Sequence, residues 1–240
     1  MGAASVADQS ADFLNIDARS NAIDSVITAA SLLRRNDSFK WKWIAIAVHH
    51  ALYSFSIAAL ESGNYEHVLS SGGKRKEDEG CFSKRGRELR WSKSRRVRFE
   101  RSPAYRIVWE ETVDNPPISF DVRRAHLPNA KGKLIDFWTA LARIQDERSL
   151  VHDVASKPVS ISDEDLRAIV WLALRVRNEL VHFVPKFWGI EIEGIRCGCM
   201  AALKTIEALV FESGTLWMID DDERSRIKQA IAVLRSGLQP

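Results

Sequence analysis

The residues best equipped for chemistry are Arg177-Asn178-Glu179-Leu180-Val181-His182, followed at once by Phe183-Val184-Pro185-Lys186-Phe187-Trp188. They combine a permanent cation, a polar amide and a titratable imidazole. A guanidinium offers planar donors to phosphoryl oxygens, and an imidazole with an ordinary pKa near about 6.5 can take or give a proton close to neutrality. That set is a minimal kit for cutting RNA without a metal. His182 would assist the 2′-hydroxyl in attacking the adjacent phosphate or protonate the leaving 5′-oxygen. Arg177 would stabilise the charge that builds on the phosphoryl oxygens, and Asn178 would position the ring or the phosphate. Lys186 is a further candidate for holding the RNA backbone. DNA, without a 2′-hydroxyl, would not serve as substrate.

Pro185 disfavours helical backbone at Val184 and has no N–H to donate, so His182 is expected in the last turn of a helix. A helix C-terminus favours the protonated ring and draws its pKa upward. On an ideal helix Arg177 and His182 stand roughly 140° apart around the axis and about 7.5 Å along it. Asn178 and His182, four residues apart, share a face.

The elements that must hold these groups are legible as helical stripes. Phe13, Leu14, Ile16, Ile23, Val26, Ile27, Ala30 and Leu33 predict a first helix over 11–35. Asn36-Asp37-Ser38 supplies turn and cap chemistry before a second helix over 39–60, expected to pack antiparallel to the first. Its stretch 43–60 is uncharged and long enough to span a membrane, but His49, His50, Ser54 and Ser56 interrupt it and favour a central bundle helix. Leu134, Phe137, Trp138, Leu141 and Ile144 predict a helix over 133–149. Ser162 with Asp165 reads as a cap for a third bundle helix, on which Leu166, Ile169, Val170, Ala173, Val176 and Leu180 form the core stripe. A fourth helix over 190–212 carries Ile192, Ile195, Cys199, Ala202, Leu203, Ile206 and Leu209 and ends at Gly214. Asp220 to Glu223 opens what reads as a short last helix.

Between the second and third bundle helices, residues 70–132 lack helical period and read as an insertion within one domain spanning 1–240. Arg95 to Glu100 and Ala104 to Thr112 predict a small β-hairpin bounded by Pro103, Pro116 and Pro117. Residues 72–101 hold 12 Lys/Arg against 5 Asp/Glu, a net of +7 in a chain whose total is +3. Such a segment on a mildly acidic body points to a localised polyanion contact. Arg85, Arg87, Arg90, Lys93, Arg95, Arg96 and Arg98 around Trp91 and Phe99 suit phosphate contact and base stacking.

Other residues read as structural. His49 and His50, in an apolar run, are expected in the core or an interface rather than in catalysis, and Trp41, Trp43, Trp138, Trp171 and Trp188 are expected to be buried. Cys81, Cys197 and Cys199 form no even disulfide framework and fall short of a zinc quartet, which fits a reducing cytoplasm. Residues 1–12 contain no secretory signal pattern. Hydrophobic content of 45% with 28% charged residues is that of a folded globular chain. Neither HExxH, GxxxxGK[ST] nor G-x-S-x-G occurs, which leaves metallonuclease, NTPase and serine-hydrolase readings without support and implies no metal or cofactor.

The run RNELVHFVPKFW resembles the signature of the HEPN superfamily, an Arg with a polar neighbour and a His four to six residues after it. The segment FKWKWIAIAVHHALYSFSIAAL is similar to the second helix of a bacterial subfamily with a tryptophan-rich start and a His-Ala-Leu-like centre. The resemblance spans most of the expected bundle and leaves out 70–132. With the elements read above, which give an antiparallel four-helix bundle with the basic insertion between helices 2 and 3 and a short C-terminal helix, the resemblance implies an all-α, HEPN-like bundle. It further implies a homodimer whose two Arg/His motifs share a cleft, and metal-independent endoribonuclease activity in a toxin or defence effector. Other members are non-catalytic modules that bind RNA or protein, and a third reading is a toxin subunit masked by an antitoxin or regulatory protein.

Overall fold

In the computed structural model the described residues are 16–62, 65–71, 95–101, 105–111, 119–121, 130–150, 155–181 and 189–239. Helix α1 (Ala18–Leu32) starts where it does because Asp17 accepts the Ser20 N–H at 2.7 Å while Ser20 Oγ accepts the Asp17 N–H at 3.1 Å. This reciprocal cap satisfies two orphan amides. Ile16, expected on the apolar stripe, precedes the cap and is 64% exposed. Phe13 and Leu14 lie outside the described residues.

Helix α2 (Lys40–Glu61) follows a short turn. The expected side-chain cap from Asn36-Asp37-Ser38 is not used: Phe39 occupies the cap position without a side-chain bond, and Asp37 pairs with Arg35 at 2.9 Å. Antiparallel packing on α1 is fixed by two hydrogen bonds, Asn21 Nδ2 to Ser54 Oγ at 3.0 Å and Ser25 Oγ with His50 Nδ1 at 2.9 Å. Four residues forward on α1 match four residues back on α2. By length and composition α2 could cross a membrane, but it is the central core helix of the protein, with Ile44, Leu52, Phe55 and Leu60 fully buried. Each such side chain contributes about 1.5–3 kcal/mol of burial.

The chain then leaves the helices through a 3₁₀ turn (Tyr65–Val68) and strand β1 (Leu69–Ser71), and returns on strand β5 (Ala130–Leu134) paired antiparallel to β1, with Leu69 opposite Leu134. Between them β2 (Arg95–Arg101), β3 (Tyr105–Glu111) and β4 (Ser119–Asp121) form a second antiparallel sheet in the order β2-β3-β4. The hairpin expected over these residues is present, with Phe99 opposite Ile107 and one further strand than anticipated.

The helix expected over 133–149 is shorter. Leu134 belongs to β5 and is 49% exposed, because Asp136 caps the next helix through Thr139 N at 2.8 Å. Helix α3 (Phe137–Arg143) follows, then one turn, α4 (Glu147–Leu150). Buried Arg143 donates to the His67 carbonyl, tying α3 to the 3₁₀ turn at the root of the insertion.

Helix α5 (Asp163–Trp171) begins at Ser162, which accepts the Asp165 N–H at 3.1 Å as expected. It does not continue as an α-helix. Residues Leu172–Arg177 form a π-helical turn, and α6 (Asn178–Val181) resumes after it. The wider turn explains why Leu172, Ala173, Leu174 and Val176 are all buried, a denser run than one α-helical face allows.

Helix α7 (Ile192–Glu207) also passes into a π-helical turn (Ala208–Glu212), and Gly214 at φ +72° reverses the chain. Its expected core residues are buried except Ile192, at the helix start and 41% exposed. The last helix is not short: α8 (Asp221–Leu238) runs 18 residues. Ile227, Ala230, Ile231, Leu234 and Leu238 bury a full stripe on it, and Arg235 pairs with Glu207 of α7 at 3.1 and 2.5 Å. One contiguous apolar core joins α1, α2, α3, α5, α7 and α8. Among the described residues the protein is predominantly helical, and its strands lie between Leu69 and Leu134, in the segment that joins α2 to α3.

Candidate functional site

Arg177 is the last residue of the π-helical turn and is half-buried. That turn packs on the middle of α2. The placement follows from glycines on the neighbouring helix. A Cβ on Gly194 would lie 2.5 Å from the Trp171 ring, and one on Gly198 would lie 2.8 Å from Leu172 Cβ. These two positions, one turn apart on α7, let the end of α5 settle close enough for its π-turn to reach α2.

Opposite Arg177, α2 offers His49, His50 and Tyr53, which share one strip of the helix by their three- and four-residue spacing. The Arg177 charge acts on all three. His49 is buried, and its ring lies 4.3 Å from that of Phe137 at 39°. Burial above all, then Arg177 and His50, push its pKa down to about 3, so it is neutral near neutrality. His50 is exposed on the surface while its Nδ1 edge rests on buried Ser25. Partial burial and then Arg177 hold it below the ordinary histidine value.

Tyr53 donates its hydroxyl to the Ile135 carbonyl at 2.5 Å and meets Phe137 edge-on, 6.2 Å between centroids. Its phenol is pushed up to about 12 by burial and by the Asp136 carboxylate, with Arg177 opposing. The result is a polar strip at the junction of α1, α2, the π-turn and the start of α3. It can present a cation beside neutral imidazoles, an arrangement that receives an anion and accepts a proton.

The other expected site residues are placed less completely. Asn178 opens α6, and its side chain is not among what is described. His182 and Lys186 lie outside the described residues, as do Arg85, Arg87, Arg90 and Lys93. Arg95, Arg96 and Arg98 fall on β2, where Arg95 pairs with Glu111 and Arg98 with Val108 in the backbone ladder. On sequence grounds His49 and His50 belong to the core or an interface. His49 is indeed core, but both feel the charge of the one arginine singled out, and Tyr53, Ser25 and Asn21 join them without having stood out in the sequence. The His49/Tyr53 spacing of four residues on α2 and the Asn21/Ser25 spacing of four on α1 are the signals that could have found them.

Of the tryptophans, Trp41 and Trp138 are buried and Trp171 half-buried, whereas Trp43 is 43% exposed beside Lys42, which sits 4.7 Å over its ring. Trp188 is outside the described residues. Cys197 is exposed and Cys199 buried, as their spacing on one helix requires. Among the described residues no group of three or more His, Cys, Asp and Glu side chains converges on a common point. Compared with known proteins, the chain matches no family model, no curated protein and no solved structure.

Proposed function

We propose that this chain is a metal-independent endoribonuclease of the HEPN type, a helical-bundle protein that cleaves RNA by 2′-hydroxyl attack and acts in the cytoplasm as a toxin or defence effector. One observation carries the reading. The arginine that opens the Arg-Asn-x3-His motif ends a π-helical turn, a device often found at functional sites, and its charge reaches three titratable groups of α2.

In this reading Arg177 binds the scissile phosphate and stabilises the charge of the pentacoordinate transition state through its paired N–H donors. Asn178 orients the phosphate or the imidazole, and His182 transfers a proton at the leaving 5′-oxygen. The basic insertion grips the flanking RNA, with Arg95, Arg96 and Arg98 on β2 and Arg85, Arg87, Arg90 and Lys93 before it. A homodimer would bring two motifs to one cleft. The test is incubation of the protein with single-stranded RNA in EDTA, followed by identification of the ends: 5′-hydroxyl and cyclic phosphate termini are expected. RNA binding that weakens with salt and leaves the RNA intact would instead make the chain a binding module.

A further inference from the structure

Ser25 Oγ stands between two partners, 2.6 Å from the Asn21 carbonyl and 2.9 Å from His50 Nδ1. A carbonyl only accepts, so the single hydroxyl proton of Ser25 goes to Asn21, and Oγ meets His50 as an acceptor. Nδ1 therefore carries the proton of the neutral ring. The lone pair lies on Nε2, on the side of the ring away from Ser25.

The relay is held rigidly. Ser25 is 7% exposed on α1, and the Asn21 side chain donates to Ser54 Oγ at 3.0 Å, one turn along α2 from His50. Both ends of the contact are thus fixed by bonds between the same two helices. Ring orientation set through the second nitrogen is how proteins prepare a histidine for proton transfer or ligation. The charged and titratable groups that interact with His50 are Arg177 on the π-turn and His49 on α2, while Tyr53 on α2 interacts with Arg177 and with Asp136 ahead of α3. Of these Arg177 is the cation, and His49 is neutral, so the pair Arg177 and His50 joins an anion-binding group to an exposed base.

We propose that His50 is the general base of the cleavage, acting from the same chain as Arg177, with Ser25 as its positioning residue. This rests on the reading of the chain as an endoribonuclease. His50 Nε2 takes the proton of the 2′-hydroxyl as the 2′-oxygen bonds to phosphorus. The bond from phosphorus to the 5′-oxygen breaks, and that oxygen takes the proton assigned above to His182. The imidazolium then returns its proton to solvent through its exposed edge. Products are a 2′,3′-cyclic phosphate and a 5′-hydroxyl, and no other reactant is consumed.

The experiment uses the full chain and a single-stranded RNA oligonucleotide in EDTA. Expected is a loss of kcat on the order of 10²–10⁴-fold in His50→Gln, with the acidic limb of the wild-type pH profile abolished. Ser25→Ala is expected to slow cleavage and, in ¹⁵N imidazole spectra, to shift His50 from the Nδ1–H toward the Nε2–H tautomer. Should His50→Gln lose its helical circular dichroism, Ser25→Ala alone decides. If the histidine variant cuts within about twofold of wild type while Arg177→Ala is inactive, the base lies elsewhere and the nuclease reading stands. The same holds if wild-type His50 carries its proton on Nε2. Wild-type protein that leaves the RNA intact overturns both.

Discussion

Gly198 on α7 has no room for a side chain over Leu172 of the π-turn: a Cβ built there lies 2.8 Å from the Leu172 Cβ and 3.1 Å from the Ala168 carbonyl. Neither is the far end of a flexible side chain, so helix α7 or the π-turn must shift to admit one. Gly198→Ala is therefore expected to destabilise the fold by about 1–3 kcal/mol, the usual cost of overpacking. Gly189→Ala, with open space around it, should change stability by less than about 0.5 kcal/mol. Urea unfolding of the two variants checks this, and equal midpoints would deny the close approach that sets Arg177 against α2.

Acid should weaken the protein through His49. In the unfolded chain an imidazole takes up its proton below about pH 6.5. Folded, His49 stays neutral until about pH 3, so between those values the unfolded state binds the extra proton. Stability is fully present above the unfolded pKa and is lost as pH falls toward the folded one, at a slope approaching about 1.4 kcal/mol per pH unit. His50, displaced in the same direction, adds to the slope. Urea midpoints between about pH 5 and pH 7.5 should fall with acid in wild type and flatten in His49→Leu. An unchanged slope in the variant would remove His49 as the cause.

The insertion leaves and re-enters the helices at one place, because Leu69 and Ser70 pair with Leu134 and Lys133. Replacing residues 72–129 by an Asn-Gly turn should leave the helical circular dichroism per helical residue unchanged. Loss of cooperative unfolding would show that the insertion is part of the core. The excised protein should also bind RNA more weakly and with a shallower salt dependence, by about 0.7 in the log–log slope for each phosphate that the insertion neutralises.

Much of this architecture is legible in the chain because its signals are local. Ser162 with Asp165 and the stripe Leu166, Ile169, Val170, Ala173 and Val176 mark a capped amphipathic helix in any context, whereas the contacts of Asn21 with Ser54 and Ser25 with His50 exist only once α1 and α2 are paired. What the sequence hides is tertiary. The π-turn at Leu172–Arg177 depends on glycines of a different helix, α7, and re-aims Arg177 toward α2. The length of α8 is hard to read because its stripe is diluted by Asp222, Arg224, Arg226 and Lys228, and only packing on α1 and α7 shows it to be a core helix. His49 and His50 look alike in sequence and differ because one faces Phe137 and the other Ser25.

The most direct test is cleavage of single-stranded RNA in EDTA by wild type, Arg177→Ala and His182→Ala, each verified as folded by circular dichroism. Cyclic-phosphate and 5′-hydroxyl ends are expected from wild type, with a loss of at least about 10²-fold in each variant. Variants that cut as fast as wild type would contradict it, and would remove the Arg177 motif from the chemistry.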